Sequence, residues 1–169
     1  LIELCVQLAG NMLFLAGKGE LEDCLIMARR SLKDGSAYEK FYQMVQRQGG
    51  DVAYLENPSL FPKAQEYAVT ALQDGYLFSM QTEEIGAVAG LLGAGREKKV
   101  DPAAGIRFLK KTGDAVRQGE PIALLYTNLP QKVREAQQRY QNAVVIAQEK
   151  PKQTPLVYAR VSADGVKTV

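Results

Sequence analysis

The first sixteen residues are apolar almost throughout, and Glu3, Gln7 and Asn11 form one polar stripe at helical spacing. That pattern predicts a helix buried on most of its surface. Gly17 and Gly19 end it, with Lys18 between them, where a cation suits the helix dipole. Residues 20–34 predict a clearer amphipathic helix. Leu21, Cys24, Leu25, Ala28 and Leu32 recur at the 3.6-residue period. Glu20, Glu22 and Asp23 open this helix and Arg29, Arg30 and Lys33 lie towards its end, as the macrodipole favours. Gly35 is placed to close it. Ser36 followed by Glu39 reads as a capping box for a third helix, which presents Phe41, Met44 and Val45 and stops at Gly49-Gly50.

The pattern changes beyond residues 51–65, where Asn57-Pro58 and Phe61-Pro62 mark turns. The main domain boundary is expected here, dividing 1–60 from 61–169. Two strands, 67–72 and 76–80, are expected around a tight turn at Asp74-Gly75. A short helix follows over 83–92, closed by Gly90, Gly93 and Gly95. Residues 96–104 read as a charged loop. Strands are expected at 106–109 and 122–126, separated by turns at Gly113-Asp114 and Gly119-Glu120. A Gln- and Ala-rich helix over 131–149 and a closing strand over 156–161 complete an α+β pattern.

Composition narrows the chemistry. The 169 residues contain 21 Lys and Arg against 19 Asp and Glu, which suits a folded chain better than a disordered one. Residues 1–60 hold six Lys or Arg against eight Asp or Glu, and the remainder fifteen against eleven. That asymmetry is too mild for a nucleic-acid binder. No run of 18 apolar residues exists, so no membrane span is expected. With no His, the chain cannot supply a Ser-His or Cys-His pair or a His-Glu-x-x-His zinc site. Cys5 and Cys24 lie on predicted helices among apolar neighbours and read as buried free thiols, with a disulfide or a reactive thiol as the alternative. The chain opens on Leu1 in what reads as a helix, so a fragment of a longer protein is expected.

Three motifs compete for a function. Gly86, Gly90, Gly93 and Gly95 lie within and after a helix, not between strand and helix. They therefore predict close helix packing and a C-cap, not a phosphate loop. Arg96, Lys98 and Lys99 sit on a Gly-flanked loop, either solvated or facing an anion. The stretch from Gly105 to Ala123, with Gly113-Asp114-x-Val116 and Gly119, resembles the turns of biotinyl and lipoyl carrier domains. It lacks their modified lysine: neither Met-Lys-Met nor an acidic residue before Lys-Ala occurs.

A closer resemblance runs through most of the chain. Leu92-Gly93-Ala94-Gly95-Arg96, Asp101-x-x-x-Gly105-Ile106, Lys110-Lys111-x-Gly113-Asp114-x-Val116-x-x-Gly119-Glu120-Pro121 and Tyr126-Thr127-Asn128 resemble the C-terminal domain of pyrimidine-nucleoside phosphorylases, the family that includes thymidine phosphorylase. Leu4-Cys5-x-x-Leu8-x-Gly10-x-Met12, Gln48-Gly49-Gly50-Asp51 and Val69-x-Ala71-x-x-Asp74-Gly75-Tyr76 extend it upstream. One departure is a connection from Arg96–Lys99 to Asp101 a few residues shorter than is usual. It reads either as a shortened loop or as residues absent from the sequence.

The resemblance implies an α+β chain. A helical segment from the end of an α/β domain (1–60) would precede a C-terminal α/β-hammerhead, barrel-sandwich-like domain (61–169). It implies a parent enzyme in which phosphate attacks C1′ of a pyrimidine nucleoside, releasing the base and a pentose 1-phosphate. This segment would complete the cleft wall and hold no catalytic residue. Arg96, Lys98 and Lys99 would form a substrate-proximal loop. The family's Lys-His-Ser-Thr-Gly-Gly phosphate motif is absent from this sequence, and its potassium ligands precede the chain's first residue. So no cofactor or metal is expected in this segment, with phosphate as co-substrate and potassium belonging to the parent. The resemblance further implies a cytoplasmic homodimer joined through an N-terminal helical domain, without nucleic-acid or membrane partners. A carrier without its lysine and a free-standing scaffold are the alternatives.

Overall fold

The computed structural model describes residues 1–95, 100–163 and 165–168. Its residues group into two compact units, Leu1–Leu60 with Thr154–Val169, and Phe61–Gln153.

The first unit begins with three helices, α1 (Ile2–Leu15), α2 (Leu21–Lys33) and α3 (Ser36–Arg47), and a single turn, α4 (Ala53–Glu56). A 3-10 turn, Pro58–Leu60, follows. The acidic start and basic end of α2 fall as the charge pattern predicts. At its C-terminus Gly35 takes the left-handed conformation. The Ser36 capping box does not form. Instead Asp34 Oδ1 accepts the Ser36 N–H at 3.0 Å, a local turn that competes with a serine cap.

Helices α1 and α2 meet at Gly10. A Cβ there would lie 2.5 Å from Leu25 Cδ2 and 3.0 Å from Leu25 Cα, so the crossing depends on a missing side chain. Arg29 Nη2 donates to Glu3 Oε2 at 2.6 Å beside it. The expectation that α1 is buried on most of its surface is not met. Only Val6 and Gly10 are buried, and Leu4, Leu8, Met12 and Leu15 are exposed. One amphipathic neighbour covers one stripe of a helix, and α1 is apolar on more than one. Cys24 is buried as expected, whereas Cys5 is exposed.

The second unit holds two three-stranded antiparallel sheets. One has the order β1 (Gln65–Thr70), β5 (Pro121–Thr127), β3 (Gly105–Phe108); the other has β4 (Ala115–Val116), β2 (Gly75–Met80), β6 (Val144–Ala147). Helix α5 (Thr82–Ala89) follows β2, and α6 (Val133–Asn142) follows β5. Here the core sits: Val69, Leu77, Val88, Leu92, Ile122, Leu125 and Tyr140 are each at most 1% exposed and pack as one cluster.

Two expectations need correction here. Asp74-Gly75 does turn the chain, but the strands on either side do not pair. β1 pairs with β5 while β2 pairs with β4 and β6, so the turn carries the chain from one sheet to the other. The 131–149 helix stops at Asn142, and residues 144–147 form a strand against β2. Val144, Val145 and Ile146 are β-branched and favour that pleated surface. The glutamines of α6 have a structural use as well. Gln137 Nε2 donates to Ala68 O at 2.7 Å and Gln141 Nε2 to Thr70 O at 3.1 Å, occupying carbonyls of the edge strand β1.

The last elements are β7 (Ala159–Ser162) and β8 (Gly165–Thr168), which pair as a hairpin of their own. The strand expected over 156–161 therefore lies further along and belongs to neither three-stranded sheet. Arg160 places its guanidinium 4.8 Å from the Phe14 ring centroid, a cation–π contact with α1.

Candidate functional site

The motif residues separated along the sequence converge in the second unit at the C-terminal end of α5. There the helix widens into a π-type turn, Gly90–Ala94. Such turns are costly and concentrate where a helix must redirect the chain. Gly93 sits at φ +119°, a conformation open to glycine, and a Cβ there would meet Asp101 and Ala104 at 3.4 Å. Gly95 returns against Gly90, close enough that a Cβ on it would approach Gly90 Cα to 3.0 Å. Close packing thus falls on Gly90 and Gly95. Gly86 faces open space and takes no part in it.

Hydrogen bonds stitch this turn to two other stretches. Thr127, completely buried at the end of β5, donates from Oγ1 to Leu92 O at 2.7 Å and accepts the Leu129 N–H at 3.0 Å. Burial of a hydroxyl is tolerated because both its functions are satisfied. Asp101 donates its backbone N–H to Gly93 O at 3.0 Å. Its carboxylate accepts Ala103 N–H at Oδ1 and Asn128 Nδ2–H at Oδ2, both at 2.9 Å. The segments around Gly93, Asp101 and Thr127 therefore form one hydrogen-bonded base. Arg96, Lys98 and Lys99, the cations expected at a substrate-proximal loop, lie outside the described residues.

A second hydrogen-bonded group surrounds the Gly113 and Gly119 turns, both at positive φ. Lys110 Nζ reaches Glu120 Oε1 at 2.7 Å and also donates to Ala115 O. Glu120 Oε2 accepts the Arg117 N–H, and Asp74 Oδ1 accepts the Gln118 N–H. The Lys110 hydrogen bond, followed by that from Arg117, holds the Glu120 carboxyl below its ordinary value of 4.5. A carrier domain needs a lysine free at a hairpin tip. Lys110 is instead tied down, so this group is a scaffold for turns.

A cavity of about 300 Å³ lies between Leu72, Gln73, Ile122, Gln141 and Val144, and no charged residue lines it. Among the described residues no three His, Cys, Asp or Glu side chains are grouped to hold a metal ion. None of the described helices is long and apolar enough to cross a membrane. Thr127, Asp101 and Asn128 were visible in the sequence as motif letters. Their contacts were not, because they join residues 27 and 35 positions apart.

Residues 76–147, which enclose this base, match the pyrimidine nucleoside phosphorylase C-terminal domain family. The chain is 37% identical over 166 residues to the pyrimidine-nucleoside phosphorylase of Geobacillus stearothermophilus, covering 95% of this chain and 38% of the relative. It is 39% identical over 131 residues to that of Bacillus subtilis, covering 75% and 30%. With that of Staphylococcus aureus it shares 34% over 152 residues, covering 87% and 35%. The chain thus spans about a third of the length of the curated relatives it matches. By its C-terminal domain and these relatives, the chain is similar to a C-terminal portion of pyrimidine-nucleoside phosphorylases.

Proposed function

We propose that this chain is the C-terminal part of an enzyme that phosphorolyses pyrimidine nucleosides, turning nucleoside and phosphate into free base and pentose 1-phosphate. The observation that carries the reading is similarity over 95% of the chain to one such enzyme, with the family's C-terminal domain matched across the hydrogen-bonded base. On this reading the second unit is the hammerhead, barrel-sandwich-like domain of the enzyme. It forms a wall of the cleft, and the chemistry belongs to residues outside this chain. The transition state places positive charge on the sugar and negative charge on phosphate and departing base. It requires fixed polar groups where those charges develop. This chain's part is to hold the cleft wall and the stems that flank Arg96, Lys98 and Lys99. Phosphate is the co-substrate, and potassium has no ligand assigned here. The whole enzyme acts as a cytoplasmic homodimer, joined through a portion outside this sequence.

The test joins this chain to the Geobacillus stearothermophilus phosphorylase in place of the stretch it matches, and follows base release from thymidine and uridine with inorganic phosphate. Turnover by the chimera is expected. A folded, dimeric chimera that releases no base from either nucleoside would overturn the reading. Arg96→Ala in the active chimera is expected to lower phosphorolysis without lowering its thermal stability.

A further inference from the structure

The cavity in the second unit lies where the chain passes from one sheet to the other. Its lining runs from Ala71 and Ile122, both buried, to Leu72 and Val145, 60% and 46% exposed. At about 300 Å³ and walled mostly by aliphatic side chains, it has the size and surface of a small-molecule site. Among its polar side chains are two glutamines. Gln73 Nε2 donates to Ile146 O at 2.8 Å, and Gln141 Nε2 to Thr70 O at 3.1 Å. These bonds fix which way each amide faces. Each oxygen is left over: neither Oε1 accepts a hydrogen bond from another described residue.

These features select an occupant. No charged side chain lines the cavity, and Gln141 sits in the last turn of α6, at the negative end of the helix dipole. A phosphate or carboxylate entering there would lose its hydration with no cation to replace it. An added peptide strand is disfavoured too. It pairs through free main-chain carbonyls, and Thr70 O and Ile146 O are already taken. What fits is an uncharged ring whose N–H groups donate to the two spare oxygens. We propose that this cavity binds such a ring, of the cyclic amide and imide class to which a free pyrimidine base belongs. The ligand class follows from the cavity. The phosphorolysis reading adds only that the same protein releases such a base as product.

Thymine is the probe, and the whole protein is followed by methyl NMR with Ile, Leu and Val labelled. Thymine is expected to shift the methyls of Leu72, Ile122, Val144, Val145 and Ile146 with a Kd of about 0.1–1 mM. 1,3-Dimethylthymine keeps the ring and has no N–H donor, so it should bind about tenfold more weakly. Gln73→Leu removes one acceptor from an exposed position. It should weaken thymine about tenfold and leave the dimethyl ring within about twofold. Val145→Trp, also at an exposed position, fills the space and should weaken both rings at least about tenfold. No shift of these methyls at about 10 mM thymine would overturn the site. So would equal affinity for the two rings, or an unchanged thymine Kd in either variant. If the protein phosphorolyses no nucleoside while thymine still shifts these methyls, the activity reading fails and the site stands.

Discussion

The two units solve the problem of apolar surface in opposite ways. The sheet unit buries Leu77, Leu92, Ile122, Leu125 and Tyr140 in one cluster and ties its edge strand with Gln137 and Gln141. The helical unit carries a still more apolar segment, α1, yet among its described residues buries only Val6, Gly10, Cys24 and Ala28. The difference teaches that apolar content is not a core. Burial follows from having neighbours on every apolar face, and α1 has α2 on one. An exposed apolar face of this extent is of the kind that docks against another surface.

Side-chain truncation gives the largest expected contrast. Leu77→Ala, at a completely buried position, should cost about 2–5 kcal/mol in denaturant unfolding. Leu8→Ala, at a residue 60% exposed, should fall within about 0.5 kcal/mol. Equal losses would break the comparison. Glycine substitutions sharpen it next. Gly10→Ala forces α1 away from Leu25 and should cost about 1–3 kcal/mol. Gly86→Ala, on an open face of α5, should gain about 0.5–1 kcal/mol from helix propensity.

A smaller effect tests an unpaired group in the sheet unit. The Tyr140 hydroxyl is buried without a hydrogen-bond partner among the described residues, and burial pushes it up to about 12. Tyr140→Phe removes that unpaired group and should be neutral or stabilising by about 1 kcal/mol. A clear loss of stability would show that the hydroxyl has a partner.

The smallest effect is electrostatic. The Glu120 carboxyl is held below 4.5 in the folded chain, chiefly by Lys110. A depressed carboxylate contributes stability above its unfolded value, and that contribution is lost as pH falls towards the folded value. Glu120→Gln should therefore flatten the fall in stability below about pH 5 and leave the rest of the profile unchanged. An unaltered acid limb would remove the Lys110–Glu120 pair from the account.

Local signals in the sequence foretold local structure. The period of Leu21, Cys24, Leu25 and Ala28 marks α2, and Gly113 and Gly119 mark turns that the structure contains. Long-range partners were illegible. Asp74-Gly75 read as a hairpin because nothing nearby signals that β1 belongs with β5, more than fifty residues on. Residues 144–147 read as helix because an Ala- and Val-rich stretch satisfies either period until a partner strand is known. The base around Gly93 failed to read for the same reason. Its glycines were visible, but the π-type turn and the Asp101–Asn128 bond arise only when three stretches meet.

The central claim is that this chain shapes a cleft for pyrimidine-nucleoside phosphorolysis whose chemistry lies elsewhere in the enzyme. Its most direct test is base release from thymidine and inorganic phosphate, measured side by side for the isolated 169-residue chain and for the same chain joined to the remainder of its Geobacillus stearothermophilus relative. The account predicts no release by the chain alone and turnover by the joined protein. Turnover by the isolated chain would contradict it.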